Sequence, residues 1–155
     1  MSDSDLIKLY SGRILELAAD IPHHGRLPAP GATVRKRAPL CGSMVTVDVV
    51  MEAGRVAAFA QDVKACALGQ AAASLLGQVV IGRTAAELAQ GRDDLCAMLK
   101  TAGPVPPAPF DGFVVLTPAR DYKNRHASIL LAIEATAEAA VMAEAALPHA
   151  SDTTG

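Results

Sequence analysis

Three side chains of this sequence could do metal or sulfur chemistry together: Cys41, Cys66 and His126. Thiolate and imidazole are the ligands that suit zinc, iron and iron–sulfur clusters. Their linear spacing matches no standard metal signature, so their proximity has to come from the fold. Cys41 lies in Pro39-Leu40-Cys41-Gly42-Ser43, a loop entering a strand, where Gly42 lets the backbone turn or approach a ligand closely. Cys66 opens a helix, where the positive end of the helix dipole favours negative charge. Lys64, beside it, adds positive charge. Taken alone, Cys66 reads as a small buried hydrophobe; a facing Cys41 makes it a ligand. His126 stands at the start of the last long helix, in Lys123-Asn124-Arg125-His126-Ala127, and reads either as a ligand or as an exposed or backbone-bonded residue of a first turn. Cys96 lies on an amphipathic helix and reads as packing. His23-His24 lie in a Pro/Gly loop and read as surface residues.

A hairpin supplies the proximity. Val45, Val47, Val49 and Met51 alternate with more polar neighbours over Met44–Met51, and Arg55–Val63 reads as the return strand. A two-residue loop at Ala53-Gly54 pairs Glu52 with Arg55 and, continued outward without a slip, Cys41 with Cys66. Opposed residues of an antiparallel pair have Cα atoms roughly 4.5–5.5 Å apart. Around this hairpin, Asp5–Ala19 reads as an amphipathic helix on Leu6, Leu9, Tyr10, Ile14 and Leu17. Residues 20–40 read as loop, punctuated by Pro22, Gly25, Pro28, Pro30, Gly31 and Pro39. Within it, Arg35-Lys36-Arg37 is either a solvated turn or a rim that attracts anions and docks a partner. Residues 65–80 carry almost no charge and predict a helix buried on nearly all faces, its small residues lying close to the sheet. Thr84 and Glu87 form a capping-box pattern for a helix through Lys100. A proline-rich linker runs from Gly103 to Pro109, and Phe113–Leu116 is a candidate strand. A long helix follows from about residue 125 to 147, with Ile129, Leu130, Ile133, Ala137, Ala140 and Val141 near one face. The expected architecture is a two-layer α+β domain over residues 1–147. Its small antiparallel sheet (44–51, 55–63, with 113–116 as third strand) is covered by the 66–80 and 126–147 helices, with the 5–19 helix at an edge and residues 148–155 a frayed tail.

The bulk composition narrows the function classes. A chain of 155 residues, 51% hydrophobic, can bury a real core and is not a disordered tail. Fourteen basic against sixteen acidic residues give no global field for a polyanion, and 3% aromatics without Trp give no stacking platform, so nucleic acid is not an expected partner. The acidic start lacks a signal-peptide pattern and no apolar run approaches the ~20 residues of a membrane span, so the expected location is cytoplasmic. Three cysteines then fit reduced thiols.

These residues carry a resemblance. From about Leu6 to Ala140 the chain resembles the iron–sulfur cluster assembly scaffolds of the NifU N-terminal, IscU and SufU type. Cys41-Gly42-Ser43 corresponds to that family's Cys-Gly-Asp before a strand. Cys66-Ala67-Leu68-Gly69-Gln70-Ala71-Ala72-Ala73-Ser74 corresponds to its second Cys opening a small-residue helix. His126-Ala127-Ser128-Ile129-Leu130 corresponds to the His-Cys-Ser-Ile-Leu of IscU-like members. The long stretch between Cys66 and His126 is like that of SufU-type members. Two positions depart: Ser43 stands in place of Asp and Ala127 in place of the third Cys. The chaperone-docking Leu-Pro-Pro-Val-Lys of IscU is also absent, with Asp121-Tyr122-Lys123-Asn124-Arg125 in its place. The resemblance implies a scaffold or carrier, not an enzyme. It implies a site of Cys41, Cys66 and His126, with Ser43, Lys64 and Arg125 around it. That site would hold a [2Fe–2S] cluster or iron, with zinc as a further candidate. Implied partners are a cysteine desulfurase, acceptor apo-proteins and a second copy of the chain. Lys123, Arg125 and the 35–37 triplet are candidate desulfurase contacts. The alternative reading is an interaction protein of the same fold that builds no cluster. A third is a Cys–His enzyme with Cys66 as nucleophile and His126 as base.

Overall fold

The computed structural model describes residues 12–39 and 42–147. Helix α1 (Gly12–Ala19) is followed by strands β1 (Ala32–Arg37), β2 (Met44–Glu52) and β3 (Arg55–Lys64). Helices α2 (Ala67–Gly77) and α3 (Ala85–Lys100) come next, then a 3-10 segment (Phe110–Asp121) and the long helix α4 (Lys123–Ala146). Among the described residues the sheet has three antiparallel strands in the order β1-β2-β3. One face of that sheet carries Val34, Val45, Val47, Val49, Met51 and Phe59, all buried, and α4 packs against β1 and β2. Helices α2 and α3 flank α4, and α1 packs on α2. The α+β architecture and the hairpin are as the sequence predicts. The expected first helix falls partly, and the expected tail wholly, outside the described residues.

The third strand is not where the sequence placed it. Residues 113–116 lie in the 3-10 segment, with Phe113 and Leu116 buried against the helices. The third strand is instead β1, inside the stretch read as loop. Its charged Ala-Thr-Val-Arg-Lys-Arg run hides the strand pattern, because an edge strand discourages further pairing with Lys and Arg. Helix α4 also differs from a one-faced amphipathic helix. Thirteen of its residues are buried, including Ala132, Ala135, Ala139 and Ala143, while Val141 is 57% exposed. A helix with the sheet on one side and helices on the others needs small side chains nearly all round.

The hairpin register is corrected by a bulge. Glu52 pairs with Arg55 and Met51 with Val56, as a two-residue turn dictates, but Val50 pairs with Ala58. The extra residue on β3, Ala57, carries through to the end of the ladder, where Met44 pairs with Lys64. Continued two steps further, this register would set Gly42 against Cys66. The ladder itself ends at Met44 and Lys64, and the expected Cys41–Cys66 pair falls outside the described residues.

Candidate functional site: a thiol at the open end of the hairpin

Cys66 is the N-cap of α2. Its backbone is extended (φ −67°, ψ 169°), its carbonyl accepts from Gln70 N at 2.9 Å, and its side chain makes no capping bond to the helix. The half-buried sulfur is therefore not used up by the backbone it caps. It lies 3.4 Å from the hydroxyl of Ser128, in the second turn of α4. Ser128 Oγ is in turn 2.9 Å from Ser43 Oγ, and both serines are 2% exposed. A chain of hydroxyls thus runs from the start of β2 across α4 to the thiol.

The backbone around this chain is closely fitted. The loop before β2 is clasped by Ala38 N donating to Ser43 O at 2.8 Å and Gly42 N donating to Ala38 O at 3.1 Å. Gly42 has φ +69°. On α2, Gly69 faces α4. A Cβ there would stand 2.5 Å from Ser128 Oγ and 2.9 Å from the Ala65 methyl, so only glycine lets Ser128 reach Cys66. Cys41 lies outside the described residues. Lys64 is exposed at the end of β3, in line with Met44 and Arg37 across the sheet. Arg125 is half-buried in the first turn of α4, its N–H donating to Tyr122 O at 2.9 Å.

His126 is placed differently from Ser128. Two residues apart on a helix is more than half a turn, so the two side chains leave opposite sides of α4. His126 is 4% exposed, and its Nε2 lies 3.0 Å from both the Ala119 and the Arg120 carbonyl oxygens at the end of the 3-10 segment. Carbonyls only accept, so Nε2 carries the proton and donates. In the neutral ring the bare nitrogen is then Nδ1, the arrangement in which a backbone carbonyl orients an imidazole for ligation. Ala127, beside His126, is exposed. Among the described residues no three His, Cys, Asp or Glu side chains gather closely enough to hold a metal. The described part of the site is therefore Cys66, Ser43 and Ser128.

Ser128 was not singled out from the sequence. The signal that could have found it is the facing pair of Gly69 on a small-residue helix and a lone hydroxyl amid the apolar run Ile129-Leu130-Leu131. Cys96 is packed against the core, as expected, and His23 sets its ring edge-on to Phe59 at 5.9 Å. Among the described residues no helix is long and apolar enough to cross a membrane.

The family model of the NifU-like N-terminal domain matches residues 9–111, and the chain belongs to that family. Its fold is that of iron–sulfur cluster assembly scaffolds. It is similar to the N-terminal part of a nitrogen-fixing NifU-like protein from Brucella abortus, at 44% identity and a TM-score of 0.88, covering 91% of this chain and 98% of that one. It shares its fold with a putative iron–sulfur cluster assembly scaffold protein for the SUF system from Fervidobacterium islandicum, at 17% identity and a TM-score of 0.79, covering 86% of this chain and 98% of that one. A hypothetical protein is similar at 23% identity and a TM-score of 0.70, with 87% of this chain and 98% of that one covered. No curated protein matches.

Proposed function

We propose that this protein is a scaffold or carrier of iron–sulfur cluster assembly, with iron, zinc or a [2Fe–2S] cluster as cargo rather than as a resident cofactor. The observation that carries the reading is the Cys66 thiol: uncapped, half-buried and at the positive end of α2, in a chain of this family. Cys41 and His126 complete the proposed ligand set. His126 turns to the other side of α4 from the Ser128–Cys66 contact, its Nε2–H donated to backbone, so its part in the ligand set rests on the family resemblance alone. Three ligands leave a position for water, a second copy of the chain or a partner's side chain, which suits a cargo that must leave again for acceptor apo-proteins.

The sulfur comes from a cysteine desulfurase as a protein persulfide. The Cys66 thiolate attacks the outer sulfur of that persulfide. The donor's S–S bond breaks as the new S–S bond forms, the donor cysteine leaves as thiolate, and Cys66 becomes the persulfide, with no net oxidation. Lys123 and Arg125 open α4 and the 35–37 triplet lies on the edge strand β1; these are proposed contacts for the donor. The chain acts as a carrier in this step, in the cytoplasm, and is not the enzyme.

Anaerobic reconstitution with iron, a cysteine desulfurase and cysteine tests this. A visible charge-transfer band that is lost in both Cys41→Ala and Cys66→Ala is the expected result. A protein that binds neither iron, sulfide nor zinc under any condition, while still binding the desulfurase, overturns it. The second reading, an interaction protein that builds no cluster, then holds; exposed Ala127 and the hydroxyl of Ser43 in place of a carboxylate favour it.

A further inference from the structure

We propose that the cleft between α3 and the proline-rich segment 103–109 is a docking site for an arginine side chain presented by a partner protein. The cleft holds about 110 Å³, with Glu87, Gln90 and Asp94 of α3 on one side and Pro107, Pro109 and Phe110 on the other. The Phe110 ring reaches the helix because position 91 is glycine: a Cβ there would stand 2.8 Å from the ring. At the other end of the segment, Gly103 N donates to Ala97 O at 2.9 Å. Arg120 ties the same end down, Nη2 donating to Gly103 O at 2.7 Å and Nε to Met98 O at 2.8 Å. The segment is thus pinned to α3 at both ends, and the cleft lies between helix and segment near the Phe110 end.

The hydrogen-bonding groups of the lining choose the ligand. Pro107 and Pro109 bring no N–H, and Phe110 N is spent on Pro107 O at 3.0 Å. Glu87 is occupied by Thr84 N at 2.9 Å and Arg83 Nη1 at 3.1 Å. Gln90 Nε2 donates to Asp94 Oδ1 at 2.8 Å. Asp94 Oδ2 and Gln90 Oε1 meet no donor among the described residues, and the Asp94 charge has no cation paired with it. The ligand is therefore a donor with positive charge. Sites for cofactors and metabolites run to roughly 300–1,000 Å³, whereas this cleft of about 110 Å³ takes the head of one side chain. A guanidinium meets both demands: its fork of N–H groups matches a carboxylate, and its flat, weakly hydrated faces pack on proline and aromatic rings better than an ammonium does. Arg55, at the closed end of the β2–β3 hairpin, lies 3.7 Å from Glu87, while Cys66 follows the open end. The ten residues of β3 separate the two ends by about 30 Å. A partner anchored in the cleft leaves Cys66 accessible, and the docking does not depend on what Cys66 carries.

The test is an NMR titration of the full-length, isotope-labelled protein with N-acetyl-arginine amide at constant ionic strength. The backbone amides of Gly91, Asp94 and Phe110 should shift along a saturating curve with a Kd of about 1–5 mM. N-acetyl-citrulline amide, which has the same shape without the charge, should bind about fivefold more weakly. Asp94→Asn should weaken the arginine probe by a similar factor, and Asp94→Lys, which sets a cation at the cleft from the chain itself, should abolish its binding. Shifts that stay linear in the arginine probe overturn the proposal. So does undiminished binding to either variant in a protein whose spectrum is otherwise that of the wild type. Citrulline or N-acetyl-lysine amide binding as tightly as the arginine probe overturns the assignment to arginine.

Discussion

The residue that most firmly ties the irregular 20–31 segment to the sheet is Asp48. Its carboxylate is fully buried and accepts from Arg26 Nε at 2.6 Å, Arg26 Nη2 at 3.1 Å, Thr33 Oγ1 at 2.6 Å and Leu27 N at 2.9 Å. Burial pushes its pKa up, but the hydrogen bonds from Arg26, Thr33 and Leu27 and the guanidinium charge outweigh it and hold the carboxyl below its ordinary range. A carboxyl lowered in the folded state contributes stability above its unfolded pKa of about 3.9, and loses it as pH falls through the folded value. Asp48→Asn leaves buried donors facing an amide. Because Arg26 is about half-exposed, the cost at neutral pH is about 2–3 kcal/mol rather than that of a fully buried pair. Urea midpoints at neutral pH and well below the carboxylate range check this: the gap between wild type and variant should shrink as the wild-type carboxylate protonates. The sequence showed none of this network, since Arg26, Thr33 and Asp48 meet only when the loop folds over the sheet. At the site, likewise, Cys66 was legible from its position at a helix start, whereas Ser128 was not, because a hydroxyl amid apolar residues declares its partner only in three dimensions.

Among the elements, the β2–β3 hairpin was legible nearly to the residue, and its turn carries a correctable strain. Ala53 (φ 53°) and Gly54 (φ 76°) both take left-handed conformations, as a two-residue hairpin loop with mirror-image turn geometry requires. Alanine is disfavoured there, whereas Asn tolerates it. Ala53→Asn should therefore stabilise the protein by about 0.5–1 kcal/mol, read as a rise in thermal midpoint with the Cys66 alkylation rate unchanged. The capping box of α3 was equally legible: Thr84 Oγ1 accepts from Glu87 N at 3.0 Å and Glu87 Oε1 accepts from Thr84 N at 2.9 Å. Turn and cap are set by neighbours in sequence. The bulge at Val50/Met51 is not, and it shifts the ladder from Val50 to Met44 by one residue. Strand β1 escaped for a related reason: only its pairing of Val34 with Val47 reveals that a charged run is an edge.

In the whole molecule, α4 is the element on which the others converge. It meets the sheet on one side and α2 and α3 on others, and it carries both Ser128 and His126. Its buried alanines set how near those neighbours stand. Ala139 is wholly buried; Ala139→Leu should cost about 2–3 kcal/mol by overpacking the layers, measurable as a lower urea midpoint with an unchanged slope. The sequence by itself determined the α+β class, the hairpin and its turn, the capped helix, and a thiol at the start of a small-residue helix. It did so because periodicity, turn chemistry and caps act over a few residues. Tertiary structure alone decided the third strand, the register at the cysteine end, the side of α4 to which His126 turns, and the Ser43–Ser128–Cys66 chain. Each of those depends on which surfaces meet across distant segments, and that meeting is settled by packing and by the satisfaction of buried polar groups.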